Sequence, residues 1–298
     1  MTSRIAITGA SSRLGTVLAQ AAKDAGSEVV ALSRTRPQDQ APFVRWHRFD
    51  LSDDPISWVE ALEGTQTVVH LASATAARFR EDPAAGLTEN VMGVTALVDA
   101  MKLSRVSHLV LAAAANVPDP SGSPGFTDLP RTLYLASKLA QEWAARAACH
   151  EASISCAAMR ISSVIGDGKS AVDRIGRRLL GGQKVQILHG DSFGADLVGM
   201  HDVVAGLHLA AKLRLGGVYN VSSGRRTTIG TAAREMIRLA RLDPSLLTVE
   251  GESAGGDPGF HAVVCDELMA LGYKPTPLYE VLLGLLSGPA PENGDDEA

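Results

Sequence analysis

The sequence predicts an α/β fold in which helices cover both faces of a doubly wound, mostly parallel sheet, followed by a small C-terminal lobe. Short apolar runs alternate with segments of helical length and spacing through the first half of the chain, and the alternation continues more loosely afterwards. The first apolar run opens through a glycine into a helix, as the leading strand of such a sheet does. At 298 residues, with 45% hydrophobic and 20% charged content, the chain can bury one large core and a smaller one.

Strands are predicted at residues 4–7, 28–32, 44–49, 67–71, 108–112 and 154–160, where apolar residues run for strand length. Helices are predicted between them at 16–25, 56–62, 87–103 and 133–150. Such alternation makes neighbouring strands parallel, because each return to the sheet crosses over through a helix. The second half predicts helices at 172–180, 202–213, 228–242 and 263–271 and strands at 185–188 and 218–221. No fixed-period repeat is visible, and the final PAPENGDDEA reads as a disordered acidic tail within residues 288–298.

The net charge of -5 provides no diffuse basic field, which argues against nucleic acid or an anionic membrane as partner. Cys149, Cys156 and Cys265 are odd in number and lack CxxC spacing or a histidine cluster, so neither a disulfide framework nor a metal site is expected. The N-terminal apolar run stops at Gly9, short of a signal segment, and no apolar stretch reaches the ~18 residues of a membrane span. The expectation is a soluble, cytoplasmic protein.

In IAITGASSRLG, residues 5–15, a strand passes through Gly9 into a helix starting near Leu14, with Ser12 where a TGxxGxxG loop has its middle glycine. Unpaired amides and the positive end of a helix dipole can hold a pyrophosphate there. A glycine turn alone is weak support, since such turns often need glycine only for its backbone freedom. The second strand ends in Ser33-Arg34, where an acidic residue would bind a ribose 2'-hydroxyl and an arginine a 2'-phosphate. NADP is therefore favoured over NAD, with a Rossmann-type NADP-binding domain over residues 1–165 and further strands plus a substrate lobe over 166–287.

Tyr134 and Lys138, in YLASK, lie one turn apart on one helical face. The ammonium can draw a phenol of ordinary pKa ~10 toward working pH, and the phenol can then pass a proton to a carbonyl oxygen as hydride arrives from a nicotinamide. On the same reasoning His70 and His201 read as hydrogen-bonded core histidines rather than catalysts.

TGASSRLG, FDLSD (49–53), VVHLASA (68–74), ENVMGVTALVDA (89–100), YLASK, MRISSVIGDG (159–168) and DLVGMHDVVAG (196–206) follow one another in the order found in extended short-chain dehydrogenases/reductases. The chain resembles that NAD-dependent epimerase/dehydratase-like group, which contains nucleotide-sugar epimerases, dehydratases and ketoreductases, nearly throughout. The resemblance implies that Gly9, Ser11, Ser12, Arg13, Leu14 and Gly15 surround the pyrophosphate and that Asp50-Leu51 lies against the adenine. It further implies that Leu71, Ala72 and Ser73 line the cofactor, that Asn90 supports Lys138, and that a homodimer forms through the helices at 87–103 and 133–150.

Two departures bear on the chemistry. The family ends its fifth strand in a Ser/Thr pair whose second member bonds the substrate oxygen, and that position is Ala114 within the run Ala112 to Ala115. Losing one preorganised donor costs on the order of 10² to 10³ in rate. Thr132, Ser73, Ser162 and Asn116 are candidate replacements. Nucleotide-sugar members also carry two arginines on the diphosphate, and here those places read Ala195 and AGGDPGF (254–260). The leading expectation is an NADP-dependent oxidoreductase acting on a carbonyl or hydroxyl of a small metabolite through Tyr134 and Lys138. The alternatives are a nucleotide-sugar epimerase, dehydratase or 4-ketoreductase, and a non-catalytic dinucleotide sensor.

Overall fold

The apolar runs of the first half become neighbouring parallel strands in the computed structural model, which describes residues 3–115, 132–250 and 259–287. In chain order these are β1 (Arg4–Thr8), α1 (Arg13–Asp24), β2 (Glu28–Ser33), β3 (Arg45–Arg48), α2 (Ile56–Val59), β4 (Thr67–His70), α3 (Ala76–Glu81), α4 (Pro83–Leu87), α5 (Gly93–Leu103), β5 (His108–Ala114), α6 (Leu133–Glu151) and β6 (Ser155–Ile161). The chain continues through β7 (Ser163–Ile165), α7 (Ala171–Leu180), β8 (Val185–Leu188), β9 (Gly194–Gly199), α8 (Met200–Leu213), β10 (Gly217–Val221), β11 (Arg226–Thr228), α9 (Ile229–Ala240), β12 (Leu247–Glu250), α10 (Asp266–Ala270) and α11 (Leu278–Ser287). The main sheet runs β10-β6-β5-β4-β1-β2-β3. This is a Rossmann-type α/β fold, and the strand order reverses between β1 and β4, where such sheets open a crevice at their carboxyl ends.

The chain divides into two compact units, Met1–Ile161 with Val204–Tyr219, and Ser162–Val203 with Asn220–Ala298. Most of α8 and the start of β10, Val204–Tyr219, belong to the first unit. The expected tail at 288–298 lies outside the described residues.

In the first unit, Val68, Leu109 and Leu111 of the sheet pack with Leu97, Val98 and Met101 of α5 and Ala145 and Cys149 of α6. Each large apolar side chain buried there contributes roughly 1.5 to 3 kcal/mol. That packing holds α5 and α6 to one face and sets the side chains at their ends in register with the strand ends. In the second unit, Asp196 on β9 is fully buried and gathers the Ser223 amide (2.7 Å) and hydroxyl (2.8 Å), the Val263 amide (3.1 Å) and the Ser162 hydroxyl (3.3 Å). Asp173 closes a capping box on α7 and also accepts from the Gly166 and Gly168 amides.

The helix expected over 87–103 is interrupted. Residues Thr88–Met92 form a π turn, with the Gly93 amide reaching back to the Thr88 carbonyl, between α4 and α5. The inserted residue widens the helix at Asn90 and turns it inward, where it is fully buried. Helix α1 starts earlier than expected because Ser12 caps it. The short elements α3, α4, β7, β9 and β11, with β12 and α11, were not predicted; β9 is buried along its whole length and so shows no alternation to read.

Candidate active site

Gly9 adopts φ +69, and a Cβ there would sit 3.0 Å from the Ala72 amide nitrogen. A Cβ at Gly15 would meet the Gly9 carbonyl oxygen at 2.6 Å. Both glycines therefore serve close packing of the turn, bringing β1, α1 and the exit of β4 together. The Ser12 hydroxyl accepts from the Gly15 amide at 3.0 Å, so it caps the helix where the resemblance put a pyrophosphate contact. The amides of Arg13 and Leu14 have no acceptor among the described residues. Ser11 and Arg13 are exposed beside them and Leu14 is half-buried. Two free amides at the positive end of α1 fit a diphosphate.

At the end of β2, Ser33 is turned inward: its hydroxyl donates to the Thr35 carbonyl at 2.8 Å and accepts from the Trp46 indole at 3.2 Å. Arg34 is exposed and makes no hydrogen bond or ion pair among the described residues. Burial pushes the Asp50 carboxyl up, but the Ser52 hydroxyl and amide, with Arg34 and Arg48 nearby, bring it below its ordinary value. Leu51 lies against Gly93 of α5, its Cβ 3.0 Å from where a Cβ on that glycine would stand.

The Thr8 hydroxyl accepts from the Leu71 and Ala72 amides, each at 3.1 Å, and lies 2.7 Å from His70 Nδ1. With both lone pairs used, Thr8 must donate to Nδ1, which leaves the proton of the neutral imidazole on Nε2. Burial, then Lys138, lowers His70 to about 3. His70 is thus the core histidine expected; His201 is not, being exposed at the start of α8.

Asn90 Oδ1 accepts from the Ser73 hydroxyl (3.0 Å) and the Ala74 amide (2.7 Å), and its Nδ2 donates to the Ser137 hydroxyl (2.9 Å). It ties the exit of β4 to α6 at Ser137, one residue short of Lys138, and makes no hydrogen bond to Lys138 itself. Lys138 Nζ donates instead to the Ala112 carbonyl (2.9 Å) and to Gln141 Oε1 (2.6 Å). Burial lowers Lys138 to about 8, partly offset by Glu142, which is itself held by Arg160 at 2.9 Å.

Tyr134 is half-buried, with its ring edge-on to Phe79 of α3 at a centroid distance of 6.0 Å. Its phenol donates to no described residue. Burial raises the phenol above its ordinary value, and Lys138 does not counter this, so the expected lowering by the ammonium is absent in this arrangement. The ammonium is turned toward β5 and Gln141.

The profile of the NAD dependent epimerase/dehydratase family matches residues 5–222. The chain belongs to that family. Among solved structures, MoeE5 in complex with UDP-glucose and NAD is 26% identical at TM-score 0.79, over 95% of this chain and 97% of that one. A UDP-glucose 4-epimerase of Thermus thermophilus in complex with NAD is 24% identical at TM-score 0.77, over 95% and 97%. The UDP-glucose 4-epimerase of Thermotoga maritima with UDP-glucose is 19% identical at TM-score 0.80, over 95% and 97%. Among curated protein sequences none matches.

Against the family pattern, the candidates for the hydroxyl missing at Ala114 can be sorted by where their protons go. Ser73 donates to Asn90 and Ser162 to Asp196. Thr132 caps α6, accepting from the Leu135 amide at 3.2 Å, and its hydroxyl proton goes to no described residue; it is exposed two positions before Tyr134. Asn116 lies outside the described residues, as do positions 254–258 of AGGDPGF. Ala195 does not present itself to a substrate: it is 4% exposed within the apolar core of the second unit. Sequence reasoning missed Thr8, Ser137 and Phe79, which act through partners distant in the chain, and Gln141, which acts through Lys138 one turn before it on α6. Among the described residues no cluster of three or more His, Cys, Asp or Glu could hold a metal ion.

Proposed function

We propose that this member of the family is an NADP-dependent oxidoreductase acting on a hydroxyl or carbonyl group of a small metabolite. The observation that carries the reading is the Tyr134 phenol, which donates to no described residue, within a corner whose other donors, Ser73, Asn90 and Ser137, are bonded to protein groups. The free amides of Arg13 and Leu14 would hold the diphosphate, and the exposed Arg34 the 2'-phosphate. Lys138 keeps one N–H beyond its two protein bonds for the cofactor. The dinucleotide, when bound, supplies or accepts hydride. Tyr134 then gives or takes the proton on the substrate oxygen, with Thr132 as the neighbouring hydroxyl. A homodimer through α5 and α6 is part of this reading, supported by Met92 at the end of the π turn and Leu103 at the end of α5, 61% and 58% exposed.

A nucleotide-sugar epimerase is the second reading, favoured by MoeE5, whose structures carry UDP-glucose and UDP-glucuronic acid at 26% and 28% identity. Fluorescence titration with NADPH and NADH, then a screen of carbonyl compounds and of UDP, separates the two. NADPH should bind at least ~10-fold more tightly, since one charge-assisted phosphate contact is worth ~1.5 kcal/mol or more, and Arg34→Ala should remove most of that preference. Equal affinities would overturn the cofactor choice, and UDP binding without net turnover of carbonyls would select the epimerase.

A further inference from the structure

Helix α7 carries cations that the fold leaves without carboxylates. Lys169 precedes the helix and Arg174, Arg177 and Arg178 lie along it; Lys169, Arg174 and Arg178 are exposed and Arg177 is half-buried. The three guanidiniums meet only neutral acceptors among the described residues. Arg174 donates to the Lys169 carbonyl (2.8 Å), Arg177 to the Gly168 carbonyl (2.9 Å), and Arg178 to Gln183 Oε1 (3.3 Å) and the Lys184 carbonyl (3.2 Å). The acids on the preceding loop and on the helices packed against α7 are engaged elsewhere. Asp167 accepts from the Lys169 amide at 2.9 Å, and buried Asp173 holds the Gly166, Gly168 and Ser170 amides. Glu235 of α9 is paired with Arg238, and Glu280 of α11 accepts from the Tyr279 hydroxyl at 2.8 Å.

The chain's own acidic segment follows the point where α11 meets this helix. A Cβ at Gly176 would stand 2.7 Å from Leu285 Cδ2, so the last turn of α11 lies against α7 midway between Arg174 and Arg178. Ser287, two residues later, ends the described residues. Residues 288–298 read GPAPENGDDEA, with the acids Glu292, Asp295, Asp296 and Glu297 and no cation or large apolar side chain. The eight residues from Ser287 to Asp295 reach up to ~26 Å at ~3.3 Å each, whereas Arg174 and Arg178 stand only ~3 Å of helix rise to either side of Gly176. We propose that the acidic segment of residues 292–297 docks on the arginine face of α7, four acids meeting Lys169, Arg174, Arg177 and Arg178. Exposed ion pairs are individually weak and are screened by salt. Tethering offsets this, because a short linker gives an effective concentration on the order of mM, so the contact forms within one chain. A segment without large apolar side chains has no other source of attraction, and ionic strength therefore governs it.

The test treats the full chain with a water-soluble carbodiimide, which joins a carboxylate to a lysine ammonium in contact with it, and maps the joined peptides by mass spectrometry. Lys169 should be joined to Asp295, Asp296 or Glu297. The yield should be unchanged by ~10-fold dilution and at least ~5-fold lower in ~1 M NaCl, where the Debye length falls to ~3 Å. A variant carrying Asp295→Asn, Asp296→Asn and Glu297→Gln gives a second measurement. Phenylglyoxal should modify its Arg174 and Arg178 ~3-fold faster than in the unmodified chain, since reactivity follows the undocked fraction. The exposed Arg80 of α3 serves as the unchanged reference. Cross-links that vanish on dilution, none between Lys169 and the segment, or equal phenylglyoxal rates in the two chains would each overturn the proposal. Neither cofactor nor substrate enters the assay, so the result stands apart from the reading of the active site.

Discussion

At the turn between β1 and α1, the groups with no acceptor among the described residues are backbone amides, those of Arg13 and Leu14, and the nearby Ser12 side chain is bonded to the protein. At the corner between β5 and α6 the groups with no partner among the described residues are side chains: the Tyr134 phenol, the Thr132 hydroxyl proton and one N–H of Lys138. A site made of backbone persists as long as two glycines allow the close approach. A site made of side chains can lose a hydroxyl at Ala114 and keep its frame. On the proposed reading, cofactor binding falls in the part of the molecule that substitution reaches least, and substrate chemistry in the part it reaches most.

The largest expected effect breaks the two regions apart. Tyr134→Phe should cut turnover on the order of 10² to 10⁴ while cofactor affinity, measured by NADPH fluorescence, changes less than ~3-fold. A comparable loss of affinity would mean the corner also builds the dinucleotide site. Next, Thr132→Val should lower kcat/KM about 10²-fold if its hydroxyl replaces the one absent at Ala114, and Thr132→Ser should restore it. The lost cap costs about 1 kcal/mol of stability, which a urea titration reads separately. Ala114→Ser should then help the Thr132→Val variant far more than the unmodified chain. Gly15→Ala should weaken cofactor binding ~10-fold or more, because its Cβ would stand 2.6 Å from the Gly9 carbonyl; unchanged affinity would show that the turn yields freely.

The smallest effect sharpens the side-chain half. With Lys138 near 8, its ammonium is lost in the folded protein as the pH rises through that value, and kcat/KM should fall there. Gln141→Leu, which removes a neutral acceptor 2.6 Å away, should move that limb down by about one pH unit, and Gln141→Glu should move it up. An unmoved limb in both variants would assign it to another group. Between about 8 and the ordinary 10.5 the unfolded chain keeps the Lys138 proton that the folded chain has released. Over that window Lys138 therefore makes stability rise with pH, and it disfavours folding at lower pH, where its charge stays buried.

The leading strands and the glycine turn were legible because apolar runs and a glycine at a forced approach are properties of adjacent residues. The roles of Asn90 and Lys138 were legible only as positions. Their partners, Ser137 for one and the Ala112 carbonyl with Gln141 for the other, depend on a π turn and on the packing of α6 against β5. Position 195 carried a misleading signal for a related reason: the motif that marks it also runs along β9, a strand buried from end to end.

The hydroxyl of Ser12 has a calorimetric consequence. Where a third glycine would leave the turn to be ordered by its ligand, the bond from Ser12 to the Gly15 amide holds the first turn of α1 in place beforehand. Less conformational entropy then remains to be lost on association, so the heat of cofactor binding should be opposed by a smaller entropic term than in a Ser12→Gly variant.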